Sequence, residues 1–132
     1  MKIHKLKVIK HQKGNIVKIL NRKDLFFKKF GECYISEIKS RQIKAWRYHK
    51  KNSQKIFLID GKCKVVLIDK KKIKYHVLNS KIASLFIIPI NTWYGFQNLT
   101  NKKIKILNII DNNYDEEEVF RKKLNEIKYK WR

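Results

Sequence analysis

Along this chain, short runs of alternating apolar and polar residues follow one another from Ile3 to Ile110. A period of two is the signature of half-buried β-strands, because successive side chains leave a strand on opposite faces. The pattern predicts strands over 3–9, 15–20, 32–38, 43–49, 55–60, 62–68, 73–78, 84–88, 93–98 and 103–110. Turn residues separate these runs. Asp60-Gly61 between two apolar runs predicts a tight hairpin, Lys70 to Lys72 an exposed turn, and Asn98 to Lys103 a third. After Tyr114 the pattern changes, and Asp115-Glu-Glu-Glu supplies the acidic first turn of a short helix reaching about Asn125. The single proline, Pro89, and the four glycines fit turns rather than a linker. No repeat or composition break divides the chain, so residues 1–132 are expected to form one domain, a β-barrel or sandwich.

Composition narrows this picture. A chain of 132 residues can build one core, and 43% hydrophobic with 12% aromatic content excludes a disordered tail as the main reading. No run of about 18 apolar residues exists, so no membrane span is expected. The start, Met1-Lys-Ile-His-Lys-Leu-Lys, lacks the apolar block of a secretory signal. Cys33 and Cys63 lie in apolar-rich segments without metal-type spacing, and are expected as buried free thiols in a reducing cytoplasm. His4, His11 and His76 lie among lysines and are expected in solvent.

The net charge of +22 raises the question of nucleic acid. The basic residues are mostly lysines spread from Lys2 to Lys130, with isoleucine and asparagine as the commonest filler, as an AT-rich genome would produce. Arginine, the preferred base reader, is scarce. No specific nucleic-acid partner is expected. The positive field still favours an anionic ligand, and a phosphate-bearing small molecule satisfies it.

Chemistry enters through two spaced motifs. Arg47-Tyr48-His49 is followed by Gln54 and Gly61, and Pro89-Ile90-Asn91 by Tyr94 and Asn98. In this spacing the chain resembles the cupin barrels, whose signatures read His-x-His, four residues, Glu, six residues, Gly, and Pro-x-Gly, two residues, His, three residues, Asn. The resemblance implies an all-β fold: one cupin (double-stranded β-helix or jelly-roll) barrel, with the short C-terminal helix. Of the positions that hold a metal in such a barrel, only His49 keeps a usual ligand. Arg47 is a permanent cation and Gln54 a weak neutral ligand, so neither a metal nor another cofactor is expected. By the period-two rule Arg47 and His49 share one face of their strand, while Trp46 and Tyr48 share the other, where a second subunit could cover them. Glu32, Tyr34 and Ser36 share a face on an earlier strand, and Tyr94 and Phe96 on a later one. A pocket holding a cation, an imidazole, phenols and an amide suits recognition of a polar ligand and proton transfer.

From Phe30 to Trp131 the chain resembles the cupins related to dTDP-4-dehydrorhamnose 3,5-epimerase. The resemblance rests on Phe30-Gly-Glu-Cys-Tyr-Ile-Ser-Glu-Ile, Ile43-Lys-Ala-Trp-Arg-Tyr-His-Lys, Ile88-Pro-Ile-Asn-Thr-Trp-Tyr-Gly-Phe and the tail from Tyr114-Asp-Glu-Glu-Glu to Trp131. It implies a metal-independent sugar-nucleotide epimerase or isomerase, serving surface polysaccharide synthesis and working as a homodimer. The implied substrate is a nucleoside-diphosphate 4-keto-6-deoxy sugar, dTDP-linked. A base removes a proton beside the ketone, an acid returns one, and a donor steadies the enolate between them. Position by position, the family's catalytic histidine falls on Arg47, which cannot act as a base at neutral pH. Its catalytic tyrosine falls on about Asn108, and its phosphate-contacting basic residue falls on Lys44. A sister group, the dTDP-sugar 3,4-ketoisomerases, is similar in Gln54, in the turn Gly61-Lys62-Cys63 and in Tyr114-Asp-Glu, with His49 at its second histidine. The resemblance therefore implies His49 as base and Tyr94 or Tyr34 as proton donor. Arg47 would stabilise the enolate or a phosphate, and Lys44, Gln54, Glu32, Ser36 and Asn108 would complete the substrate pocket. A pocket that binds a sugar nucleotide or another anion without turning it over is the alternative.

Overall fold

The computed structural model describes residues 2–131. Two five-stranded antiparallel sheets carry the fold. In chain order the strands are β1 (Lys2–Lys5), β2 (Lys7–Ile9), β3 (Ile16–Lys18), β4 (Glu32–Ile38), β5 (Ile43–His49) and β6 (Gln54–Leu58). They continue with β7 (Lys62–Asp69), β8 (Lys72–Asn79), β9 (Ser84–Ile88), β10 (Trp93–Asn98), β11 (Ile104–Ile110) and β12 (Val119–Arg121). One sheet has the order β1-β9-β6-β11-β4, the other β12-β5-β10-β7-β8, and β2 pairs with β3 in a small hairpin. This is the jelly-roll arrangement expected of a cupin barrel.

Alternation builds the interior. Ile38, Ile56, Leu58, Phe86, Ile88, Ile104 and Ile106 of the first sheet pack with Cys63, Val65, Leu67, Leu78 and Tyr94 of the second. Each large aliphatic side chain removed from water contributes about 1.5–3 kcal/mol. The inward rows are not apolar throughout. On β4 the row Glu32, Tyr34, Ser36, Ile38 ends apolar at Ile38, which lies opposite Ile104, whereas Tyr34 lies opposite Asn108. On β6 the inward row runs from Gln54, opposite Ile110, to Leu58. One end of the barrel is thus a dry core and the other is polar.

Several expectations change. The alternation over 3–9 belongs to two strands, β1 and β2, which join different sheets because the chain turns away at Leu6. Asp60-Gly61 does not close a hairpin, since β6 and β7 lie in different sheets and the chain crosses between them there. Gly61 takes a φ of 81°, which suits glycine, and Asp60 Oδ1 accepts the Lys105 backbone N–H at 3.0 Å. No helix spans 115–125. Asp115 caps a single 3₁₀ turn over Glu116–Glu118 by accepting the Glu117 N–H at 3.0 Å. The chain then extends as β12 (Val119–Arg121), which pairs with β5, and a second 3₁₀ turn follows at Leu124–Glu126.

Trp46, expected where a second subunit could cover it, is covered by the chain's own tail. It is 1% exposed, its Nε1 donates to the Leu124 carbonyl at 3.3 Å, and its ring packs against Tyr129 and Trp131. Gly95 permits this cover, since a Cβ there would lie 2.6 Å from the Ala45 Cβ and 2.9 Å from Trp131. Cys63 is buried and its thiol is pushed up to about 12 by that burial, but Cys33 lies on the outer face of β4 and is exposed. His4 and His76 are half-buried rather than solvated, stacked on Phe26 and Phe86. No helix among the described residues is long and apolar enough to cross a membrane.

Candidate functional site

The polar end of the barrel opens into a cavity of about 320 Å³ lined by residues of β4, β5, β6, β10 and β11 and of the segment that ends β12. Tyr34 and Ser36 come from β4, Lys44 and Arg47 from β5, Tyr94 and Phe96 from β10, and Asn108 from β11. Where β5 meets β10 the register slips, with Tyr94 opposite Arg47 but Gly95 opposite Ala45. Trp46 is the extra residue. A bulge of this kind lets Lys44, Arg47 and His49 all face inward although simple alternation would not allow it.

Behind the cavity wall lies a buried relay. The Tyr94 hydroxyl is 2.9 Å from His49 Nε2, and His49 Nδ1 is 2.6 Å from Glu118 Oε1. His49 is 5% exposed and Glu118 3% exposed. A carboxylate only accepts, so Nδ1 carries the hydrogen and, in the neutral ring, Nε2 accepts from Tyr94 O–H. Glu118 is held by the Lys51 backbone N–H at 3.1 Å and by Asn52 Nδ2 at 3.1 Å. Burial pushes its carboxyl up, but the hydrogen bonds from His49, Lys51 and Asn52 outweigh that and hold it below the usual range. Burial drives the Tyr94 hydroxyl upward despite nearby Arg47, so it is a proton-bearing phenol at neutral pH.

A second network forms the floor. Asn108 Nδ2 donates to the Tyr34 hydroxyl at 2.8 Å and also to Gln54 Oε1, while Gln54 Nε2 reaches the Asn52 carbonyl at 3.4 Å. Burial raises Tyr34, partly offset by the Asn108 hydrogen bond and the Arg47 charge. Lys44 Nζ donates to Ser36 Oγ at 3.2 Å, and both burial and the Arg47 charge lower its pKa. No group of three or more His, Cys, Asp and Glu side chains gathers at one point among the described residues.

Comparison with known proteins places this geometry. The family model described as FdtA, WxcM-like, C-terminal, matches residues 1–130. The chain belongs to this family. A curated relative, TDP-4-oxo-6-deoxy-alpha-D-glucose-3,4-oxoisomerase of Aneurinibacillus thermoaerophilus, is 26% identical over 97% of this chain and 91% of its own length. Among solved structures, a dTDP sugar isomerase from Desulfovibrio desulfuricans G20 superposes with a TM-score of 0.90 at 26% identity, covering 98% of this chain and 89% of the other. A dTDP-4-dehydrorhamnose 3,5-epimerase from Elizabethkingia anophelis shares the fold, with a TM-score of 0.79 at 18% identity over 93% of this chain and 75% of the other.

Within this FdtA-type barrel the residues anticipated from sequence divide into layers. Tyr34, Ser36, Lys44, Arg47, Tyr94 and Asn108 line the cavity. His49 and Gln54 stand one layer back and touch it through Tyr94 and Asn108. Glu32 lies on the same inward row of β4 but outside the cavity lining. Sequence reasoning missed Glu118, Arg121 and Lys122. The acidic run 115–118 looks like a helix start and a surface feature, yet its last member is buried against His49. The residues that follow, Val119-Phe120-Arg121-Lys122, do not alternate, so the strand is set by its pairing with β5 rather than by a local signal.

Proposed function

We propose that this FdtA-family protein is a 3,4-ketoisomerase acting on a nucleoside-diphosphate 4-keto-6-deoxyhexose, of the kind named for its TDP-sugar relatives. The reaction takes the C3 proton to a base, forms an enediol across C3 and C4, and returns a proton to C4. The hydroxyl proton leaves O3 and O4 gains one, so the ketone moves from C4 to C3 with no change in composition. Tyr94 meets the sugar, His49 exchanges the proton through the Tyr94 hydroxyl, and Glu118 holds the imidazole in the required tautomer. Arg47, beside Tyr94 on the neighbouring strand, supplies positive charge for the anionic part of the ligand. Tyr34, protonated, donates to a sugar oxygen, and Lys44, Ser36 and Asn108 hold the rest of the ligand.

The observation that carries this reading is the Glu118–His49–Tyr94 chain ending on the cavity wall. Incubation with TDP-4-keto-6-deoxyglucose in deuterated water, followed by NMR, tests it. The expected result is a 3-keto product carrying solvent deuterium at C4. Absence of both a new ketone and any deuterium uptake defeats the proposal. Deuterium at C5 with inversion there indicates a 3,5-epimerase instead. A binding protein without turnover is a second reading, favoured by Arg47 standing where the resemblance implies a histidine. It predicts TDP-sugar binding with no exchange.

A further inference from the structure

β12 runs antiparallel to β5 and places Arg121 directly opposite Arg47. Like charges directly opposite on paired strands are destabilising. Both guanidiniums line the cavity, together with Lys44 and Lys122. Among the described residues Arg47 has no carboxylate within 4.0 Å. Arg121 does have one. Its Nη1 donates to Glu116 Oε1 at 2.5 Å and its Nη2 to Glu116 Oε2 at 3.4 Å, and Nη2 also donates to the Tyr114 hydroxyl at 2.9 Å. Tyr114 in turn donates to Glu116, closing a clamp. Glu116 thus offers two oxygens to the fork of Arg121, as a phosphate would.

We infer that Arg47 and Arg121 form the diphosphate-binding pair of the cavity, and that Glu116 is an internal stand-in which the ligand's phosphate displaces from Arg121. The arrangement explains why two arginines are paired across strands: the repulsion is relieved when a dianionic group bridges them. It also explains why the carboxylate lies at the surface, where an exposed ion pair shifts an equilibrium by no more than about fivefold and is readily exchanged. Lys122 Nζ sits 4.8 Å from the centre of the Trp93 ring rather than on Glu116. The inference rests on the nucleoside diphosphate of the proposed substrate, though not on turnover.

Calorimetric titration with TDP, inorganic pyrophosphate and thymidine tests it. Arg121→Ala and Arg47→Ala are each expected to weaken TDP and pyrophosphate about tenfold and to leave thymidine unchanged. Glu116→Gln has the opposite sign, tightening TDP and pyrophosphate about two- to fivefold by removing the competitor. Glu116→Ala is expected to do the same, and guards against a neutral hydrogen bond persisting in the glutamine. If both Glu116 variants leave diphosphate binding unchanged or weaken it, the stand-in is refuted. If Arg121→Ala leaves TDP binding intact, or the wild-type protein binds neither diphosphate, the paired site is refuted. These readouts need no catalysis. A protein inactive on the keto sugar that still tightens on Glu116→Gln refutes the isomerase and keeps the diphosphate site, and an active protein indifferent to Glu116 does the reverse.

Discussion

Two buried pairs of equal length divide the work of this barrel. His49 Nδ1 and Glu118 Oε1 are 2.6 Å apart, and so are Lys55 Nζ and Asp111 Oδ1. Each joins a β-strand to a residue that follows the last long strand, β11, and each is nearly closed to water. They differ in what is left over. Asp111 also accepts from Ser53 Oγ at 2.7 Å, and Lys55 Nζ lies 3.5 Å from the same oxygen, so that triad is spent on itself. His49 keeps a second ring nitrogen, which reaches the cavity through Tyr94. A buried pair whose hydrogen bonds close on each other holds a fold together, whereas one whose second ring nitrogen meets a cavity-lining hydroxyl can move a proton. Burial and distance alone do not separate the two cases; the unspent atom does.

The largest effect expected is at the pair with the unspent atom. Glu118→Gln can donate to Nδ1 and so invert the tautomer, leaving Nε2 protonated and unable to accept from Tyr94. Turnover should fall by about 10²–10⁴ with KM little changed. Nitrogen chemical shifts of His49 should report the inversion, and an unaltered tautomer together with full activity would break the distinction drawn between the pairs. Asp111→Ala comes next. It strands an ammonium that is 1% exposed, and urea unfolding should show a loss of about 3–5 kcal/mol, with activity per folded molecule retained. The double change Lys55→Met with Asp111→Leu should restore most of that stability, since apolar replacement of a whole buried pair is close to neutral. No such rescue of activity is expected from any apolar replacement of His49 and Glu118.

Acid should weaken both pairs. Burial pushes the Asp111 carboxyl up, but hydrogen bonds from Lys55 and Ser53 and the Lys55 charge hold it below its ordinary range, as His49 and its neighbours do for Glu118. A carboxyl depressed by folding stabilises the fold above its unfolded value, about pH 4, and that contribution is lost as pH falls through the folded value. Unfolding free energy should therefore drop below about pH 4, and the Asp111→Asn variant should show a shallower drop. The smallest effect is expected at Gly95. Gly95→Ala should cost about 1–3 kcal/mol through overpacking against Ala45 and Trp131, read as a lower melting temperature.

Legibility from sequence followed the reach of each signal. Strands β4, β5, β9 and β10 fall on the expected boundaries because a period of two is a local property of the chain. The cavity residues Tyr34, Ser36, Arg47 and Tyr94 were legible for the same reason, joined to family spacing, whereas Lys44 and Asn108 came from the family resemblance alone. The Asp60-Gly61 turn misled because a turn signal says that the chain reverses, not which sheet receives the next strand. The acidic run misled because a helix start and an approach to a buried histidine share the same letters until a partner strand is specified.

What the chain alone determined is the alternation that makes an all-β barrel, and the inward placing of one cation, one imidazole and several phenols at its polar end. Those follow from side-chain geometry within a few residues. Tertiary structure alone decided that His49 stands behind Tyr94 rather than on the wall, and that Glu118 orients it. It also set Arg121 facing Arg47 across strands and spread the tail over Trp46. The first depends on the bulged pairing of β5 with β10, and the others on the pairing of β12 with β5, a contact between segments some seventy residues apart. Pairing at that range is selected by the summed burial and hydrogen bonding of the whole barrel, which no local window of sequence records.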